Sequence, residues 1–446
     1  MERILMRELA AWKARANRRP LLLRGARQVG KSYLVEQFGK KCFDNLVTAD
    51  FERHPDLASC FKSRDPITIL KQLELMLEAP IRPGTTLLFL DEIQACPDAL
   101  VSLRYFWELM PELHVIAAGS LMEFLLHDDR YSFPVGRIEF LYLHPMSFLE
   151  YLAAAAPIAH ERVTAATLGR PLTEVEHNEL LKWLRRYLFI GGMPAAVQSS
   201  LEQDSLLEVQ RMHRLILQAY ASDFGKYASR IQEHRYLPIV FGRVPVLVGN
   251  RLKYSAIDPD VEARSLKPAL ELLGHAGLIQ RAYATTGSGL PLHAHMRERQ
   301  MKLYYLDVGL LQTACHVDAQ EFFDGDILQI NRGKLAEQLV AQELISSALP
   351  DQNAPLLFWE TETGGQAEVD FVVSAGTKIV PLEVKAGSLG SIRSLRSFMQ
   401  TKTIPLGVRI ADMPLSLHGD LLTVPLYLAG EWERLTLEAY EMMRTS

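Results

Sequence analysis

Cysteine is sparse in this chain. Four occur in 446 residues, Cys42, Cys60, Cys96 and Cys315, and no two form a C-x-x-C pair. That spacing excludes a disulfide frame and a zinc site of the paired-cysteine kind, and the thiols read as reduced, in a cytoplasmic setting. Long apolar runs are missing too. None approaches the roughly 18 residues of a membrane span, so no membrane partner is expected. The opening stretch MERILMRELAAWKARANRRP is too charged for a signal peptide. Charge of one sign is not in large excess: the net charge is −5, which gives no global attraction to nucleic acid. Any DNA-contacting surface therefore has to be a local patch. No internal repeat occurs, and the nearest approach to low complexity is Ala153 to Ala156. What remains is ordinary globular composition, 48% hydrophobic and 23% charged. The length suits about three domains.

The most informative stretch is LLLRGARQVGKSYLVEQF, from Leu21 to Phe38. Leu21, Leu22 and Leu23 read as a short buried strand, and Tyr33 to Phe38 has helical spacing. Between them Gly25-Ala26-Arg27-Gln28-Val29-Gly30-Lys31-Ser32 fits G-x-x-x-x-G-K-[ST]. Strand, glycine loop and helix in this order make a phosphate cradle. Gly25 and Gly30 permit backbone conformations that turn successive N–H groups inward. The helix start adds partial positive charge. Lys31 is placed to reach the β- and γ-phosphates and the Ser32 hydroxyl to ligate Mg²⁺. Residues Gly25 to Tyr33 are thus the expected nucleotide contacts, with ATP and Mg²⁺ as cofactors.

Downstream, TTLLFLDEIQ ends four apolar residues, Leu87 to Leu90, in Asp91-Glu92. A strand apolar on both faces belongs in a covered parallel sheet, and its C-terminal end is where open α/β sheets bind ligands. Asp91 is the expected Mg²⁺ residue, and Glu92 the group that orients or deprotonates water. LHVIAAGS is a further strand, ending at Ser120, which reads either as a nucleotide contact or as part of a Gly-Ser turn. Arg137, ahead of the strand IEFLYL, reads either as an arginine finger, in its own subunit or a neighbour's, or as a solvated charge. At the N-terminus, Ile4, Leu5, Leu9 and Trp12 form one side of an amphipathic helix.

Taken together, GARQVGKS, LLFLDEIQ, IAAGS, GRIEFLYLHPMSFLEYL and YLFIGGMPAAV resemble a family of bacterial and archaeal AAA-type ATPases. In that family the ATPase module precedes a C-terminal domain of unknown function. The resemblance covers nearly the whole chain and implies ATP binding and hydrolysis, with Ser120 at the γ-phosphate or the attacking water, and no particular substrate. Residues 156–230 then read as the helical lid of an AAA core, with Arg185 and Arg186 as candidate nucleotide sensors. Residues 231–312 give helices, a glycine stop and strands in an order that resembles a winged helix-turn-helix. His293, His295, Arg297, Arg299 and Lys302 would line its wing, for phosphate contact or for protein packing.

The tail carries a second constellation. A helix with Glu337 precedes LFWETETGGQAEVDFVV and KIVPLEVKAG. Glu383 and Lys385, two apart in a strand, share a face, and Asp370 on the adjacent strand comes alongside. Two carboxylates, Asp370 and Glu383, can hold Mg²⁺, and the lysine can steady an attacking hydroxide. Glu337, Asp370, Glu383 and Lys385 resemble the PD-(D/E)xK nuclease core, with Val369 where the usual proline stands. Arg393, Arg396 and Lys402, within Ser388 to Lys402, add a basic face. Two outcomes stay open for this domain, cleavage or a silent fold in which Glu383 and Lys385 form a plain ion pair.

The expected architecture is an α/β chain. It has a P-loop AAA-type parallel sheet (1–155), a helical lid (156–230), a winged-helix-like connector (231–315) and a restriction-endonuclease-like domain (316–446). The leading expectation is an ATPase acting on nucleic acid, possible oligomers included. The alternative is an ATP-switched scaffold regulating a protein partner, and a third, toxin-like or defence effector reading is weaker.

Overall fold

The computed structural model describes residues 1–120, 122, 136–227, 231–317, 319, 322, 327–361, 367–387 and 391–445. Gly364 and Gly365, read as a turn within LFWETETGGQAEVDFVV, and Ser388, which opens the basic stretch, lie outside these. The chain divides into two compact units. The first is Met1–His144 with His275–Gly277 and Leu349–Asn353; the second holds Pro145–Gly274, Leu278–Ala348 and Ala354–Ser446. Among the described residues no helix is long and apolar enough to cross a membrane.

The first unit is built on β1 (Leu21–Arg24), β2 (Asn45–Asp50), β3 (Thr86–Asp91), β4 (His114–Ala118) and β5 (Glu139–Tyr142). Their order across the sheet is β2-β3-β4-β1-β5, with every pair parallel. β1, β3 and β4 are buried along their whole length, as unbroken apolar runs require when helices cover both faces. Four helices supply that cover: α1 (Leu5–Ala14), α2 (Lys31–Cys42), α3 (Pro66–Leu77) and α4 (Pro97–Leu109). α3 starts where Asp65 accepts the Thr68 N–H and Pro66 presets the first turn. The core beneath runs through Leu22, Val47, Leu88, Leu90, Leu103, Phe106 and Val115. α1 buries Leu5, Leu9 and Trp12. Ile4, expected on the same side, is exposed instead, because it caps α1 rather than lying within it. The chain crosses over on either side of β1, which opens a crevice at the carboxyl ends of the strands.

The second unit begins with the helices Phe148–Ala155, Pro157–Thr164, Glu174–Ile190, Pro194–Gln203 and Leu206–Ser222. Ser147 with Glu150 and Thr173 with Glu176 form reciprocal capping boxes that set two of their starts. Helices Ile231–Leu247, Tyr254–Ile257 and Ala263–His275 follow, then the antiparallel pair β6 (Ile279–Thr285) and β7 (Met296–Tyr305). Here the wing expectation needs correction. The free edge of β6 is taken by β8 (Leu356–Glu360), in parallel, so the hairpin is part of a four-stranded sheet β7-β6-β8-β9 with β9 (Glu368–Val369). Lys302 lies inside, 1% exposed, and is not on a basic outer face.

The remaining sheet comprises β10 (Phe371–Ala375), β11 (Lys378–Lys385), β12 (Gly407–Ala411), β13 (Ser416–His418) and β14 (Leu421–Pro425), in the order β10-β11-β12-β14-β13. β10 and β11 form the antiparallel hairpin, with Phe371 opposite Leu382. β11, β12 and β14 run parallel. The helix Arg393–Lys402 buries Leu395, Phe398 and Met399 in a cluster with Trp359, Val369 and Val372.

Candidate functional sites

In the first unit, the turn between β1 and α2 combines three positive φ values: Gly25 at 142°, Gln28 at 64° and Gly30 at 93°. Any Cβ at Gly25 would overlap the carbonyl oxygen of Leu143, so only glycine fits. Gln28 takes its left-handed conformation without that freedom, a local strain of the kind that clusters at binding loops. The loop is clamped from behind by Arg3, which donates to the carbonyls of Val29 (3.0 Å) and His144 (2.6 Å). Ala26 packs against Gly277. Gly30 caps α2 without a side-chain hydrogen bond, which leaves that helix start to another acceptor. Arg27 is half-buried and Tyr33 is exposed.

Lys31 is 7% exposed and donates to the carbonyls of Gly25 (2.9 Å) and Ala26 (2.8 Å). Burial pulls its pKa down to about 8, against the opposing charges of Glu92 and Asp91. Burial likewise pushes the Asp91 carboxyl up, opposed by a hydrogen bond from the Ser32 hydroxyl. Ser32 and Asp91 therefore meet although α2 and β3 are far apart in sequence. Glu92 leaves β3 at φ 48°. Its Oε2 accepts from Gln94 Nε2 at 2.5 Å and from Ser120 Oγ at 3.5 Å. Gln94 Oε1 is buried without a hydrogen-bond partner and sits where a Cβ at Gly119 would lie. Sequence reasoning passed over Arg3, Gln94 and Gly119. Only the last pair left a trace, in the Gln that ends DEIQ and the Gly before Ser120.

Arg137 is 41% exposed, donates to Glu108 Oε1 at 3.0 Å and lies over the Trp107 ring, 5.2 Å from its centre. In the second unit, Arg186 pairs with Asp204 at 2.5 Å, and Arg185 lines a cavity with Leu184, Leu335 and Leu339.

The tail residues do come together, but around an occupant. Lys302 Nζ lies 2.9 Å from Glu337 Oε1, 2.5 Å from Glu368 Oε1 and 4.0 Å from Asp370 Oδ1. Tyr304 donates to the same Glu337 oxygen at 2.5 Å. Asp370 Oδ2 accepts the Val384 N–H at 2.8 Å, and Lys385 donates to Glu383 Oε1 at 2.6 Å. Burial pushes the Glu337 and Glu383 carboxyls up to about 7, and Asp370 upward too. Burial alone would lower Lys302, but the attraction of Glu337, Glu368 and Asp370 holds it above the usual lysine value. The sequence places Lys302 on an outer wing, not among these acids, and gives Tyr304 no role. The signal was present in KLYYL, a lysine in an apolar strand, which burial allows only beside an acid. Of the basic face, Arg396 pairs with Asp420 and Lys402 donates to Ser288 Oγ at 2.9 Å.

Residues 17–152 match the family model of the AAA domain. The stretch that matches it contains the glycine loop, Asp91-Glu92 and Ser120. Residues 181–321 and 332–426 match two domains of unknown function, DUF8612 and DUF4143. Among solved structures, the chain is similar to the Walker-type ATPase PABY2304 of Pyrococcus abyssi: 17% identical, covering 70% of this chain and 94% of that one, TM-score 0.44. It is also similar to the Aeropyrum pernix ORC1 protein in complex with DNA: 10% identical, covering 70% and 91%, TM-score 0.29. AMPPCP-bound DnaA from Aquifex aeolicus is 14% identical, covering 60% and 85%, TM-score 0.28. No curated protein matches the chain.

The donor set around the glycine loop fits a magnesium nucleotide. Mg²⁺ takes one or two protein oxygens beside water and substrate phosphates, and the Ser32 hydroxyl already reaches Asp91. The tail cluster does not fit a metal ion. One oxygen of each acid is engaged, by Lys302 and Tyr304 at Glu337, Lys302 at Glu368, the Val384 N–H at Asp370 and Lys385 at Glu383. Among the described residues no group of three or more His, Cys, Asp or Glu is arranged to hold one.

Proposed function

We propose that the AAA domain binds ATP with Mg²⁺ at Gly25 to Tyr33 and hydrolyses it, and that the cycle switches a scaffold acting on a protein partner. The convergence of Lys31, Ser32, Asp91 and Glu92 at the crevice of the parallel sheet carries this reading. Lys31, held by two loop carbonyls, exchanges those acceptors for the β- and γ-phosphates. Ser32 and Asp91 would hold the magnesium, whose bound charge offsets that of the phosphates. Glu92, oriented by Gln94 and Ser120, takes the proton of the attacking water. To act as a finger, Arg137 has to leave Glu108.

The acid cluster of the tail, filled by a lysine, supports the silent form of that domain over the nuclease-like one. A second reading, action on nucleic acid, is favoured by the exposed arginines Arg299 and Arg393. ATP turnover decides between them, measured with and without DNA in the wild type, Lys31→Ala and Asp91→Ala. Turnover lost in both variants, indifferent to DNA, and without metal-dependent nicking that Glu383→Ala removes, supports the switch. DNA-stimulated turnover, with binding that falls steeply as salt rises, supports the second reading. Wild-type protein that neither binds nor turns over ATP refutes both.

A further inference from the structure

We infer that the Lys302 ammonium is the resident cation of the C-terminal acid cluster, standing where a hydrolytic site of this make-up holds a divalent metal ion. The inference rests on the silent reading of the tail and deepens it. Lys302 and Tyr304 project from the same face of β7, two residues apart, and both reach Glu337 Oε1. The Phe358 ring stands 5.3 Å from Lys302 Nζ. A lysine buried this deeply is destabilising unless acids meet it, and buried acids are destabilising unless a cation meets them. Here Glu337, Glu368 and Asp370 meet the lysine, while Lys385 serves Glu383.

A divalent ion would need six or so oxygens at about 2.0–2.6 Å. Donor hydrogens already occupy Glu337 Oε1, Glu368 Oε1, Asp370 Oδ2 and Glu383 Oε1. Glu383 Oε2 is buried with no hydrogen-bond partner and Asp370 Oδ1 stands 4.0 Å from Lys302 Nζ, so an ion drawn to the cluster meets the ammonium already beside it. An incoming ion must also displace an ammonium that the chain itself holds in place.

The test uses Mn²⁺ as the probe on the full-length, nucleotide-free protein, with bound metal read by electron paramagnetic resonance. Wild type and Asp370→Asn should bind Mn²⁺ alike. Lys302→Met should take up one more ion per chain, lost again in Lys302→Met with Asp370→Asn. Wild-type Mn²⁺ binding that disappears in Asp370→Asn overturns the inference, as does a folded Lys302→Met that gains no ion. If Lys302→Met does not fold alone, millimolar Mn²⁺ restoring a cooperative thermal transition supports the inference, and failure to restore it counts against it. A failure of ATP binding at Lys31 would sink the ATPase reading and leave this measurement untouched, since it is made without nucleotide.

Discussion

Gln94 donates its amide N–H to Glu92 Oε2 at 2.5 Å, and thereby holds a carboxylate whose own backbone sits in the left-handed region. The rotamer of Glu92 is set by a residue outside the phosphate loop. Gln94→Ala should therefore lower kcat for ATP by about tenfold with KM little changed, since substrate binding does not depend on this contact. Glu92→Gln, which removes the proton acceptor, should lower kcat by about 100-fold or more. Steady-state kinetics on the two variants checks the order. A rise in KM with unchanged kcat for Gln94→Ala would remove it from the role.

Gly25 is the least replaceable residue of the loop. Its φ of 142° is glycine territory, and an added Cβ would run into a backbone carbonyl at Leu143. Gly25→Ala should abolish ATP binding in calorimetry and cost about 1–3 kcal/mol of stability through strain. Binding at wild-type strength would show that the loop relaxes freely.

Asp307 is buried and accepts four hydrogen bonds, from the N–H groups of Gly192 (2.6 Å), Gly309 and Leu310 (both 3.0 Å) and from Gln342 Nε2 (3.4 Å). Gly191 is close enough that a Cβ there would overlap its carboxylate. Asp307→Asn turns an amide donor toward backbone donors and should cost about 1–3 kcal/mol, more if the carboxylate is charged. Denaturant unfolding measures it. A loss below about 0.5 kcal/mol would mean that the site relaxes around the amide.

Glu343 gives a pH signature. It is 2% exposed, and burial pushes its carboxyl up to about 8, opposed by the Phe148 N–H at 2.8 Å. With the folded value above the unfolded one, the folded state holds the proton longer, so stability is lost as pH rises from about 4.5 to 8. Glu343→Gln cannot ionise. Its melting temperature relative to wild type should therefore rise across that window, and parallel curves would contradict the assignment.

How much was legible follows from the range of each interaction. The loop after β1 is written in consecutive residues, so the glycines, Lys31 and Ser32 could be read directly. The pairing of Glu383 with Lys385 followed from the two-residue period of a strand. Arg3 and Gln94 were missed because their partners, the Val29 carbonyl and the Glu92 carboxylate, are specified by packing and not by any local pattern.

The chain alone settled where the glycine loop and the acidic strand end lie, because φ preference, strand period and charge are properties of short stretches. Only the tertiary structure decided what stands inside the acid cluster of the tail. β6 pairs on one edge with β7 and on the other with β8, and that pairing carries Lys302 from an expected outer wing into the interior. A lysine's role depends on which carboxylates the fold sets around it, and residues so distant in sequence leave no shared period to read.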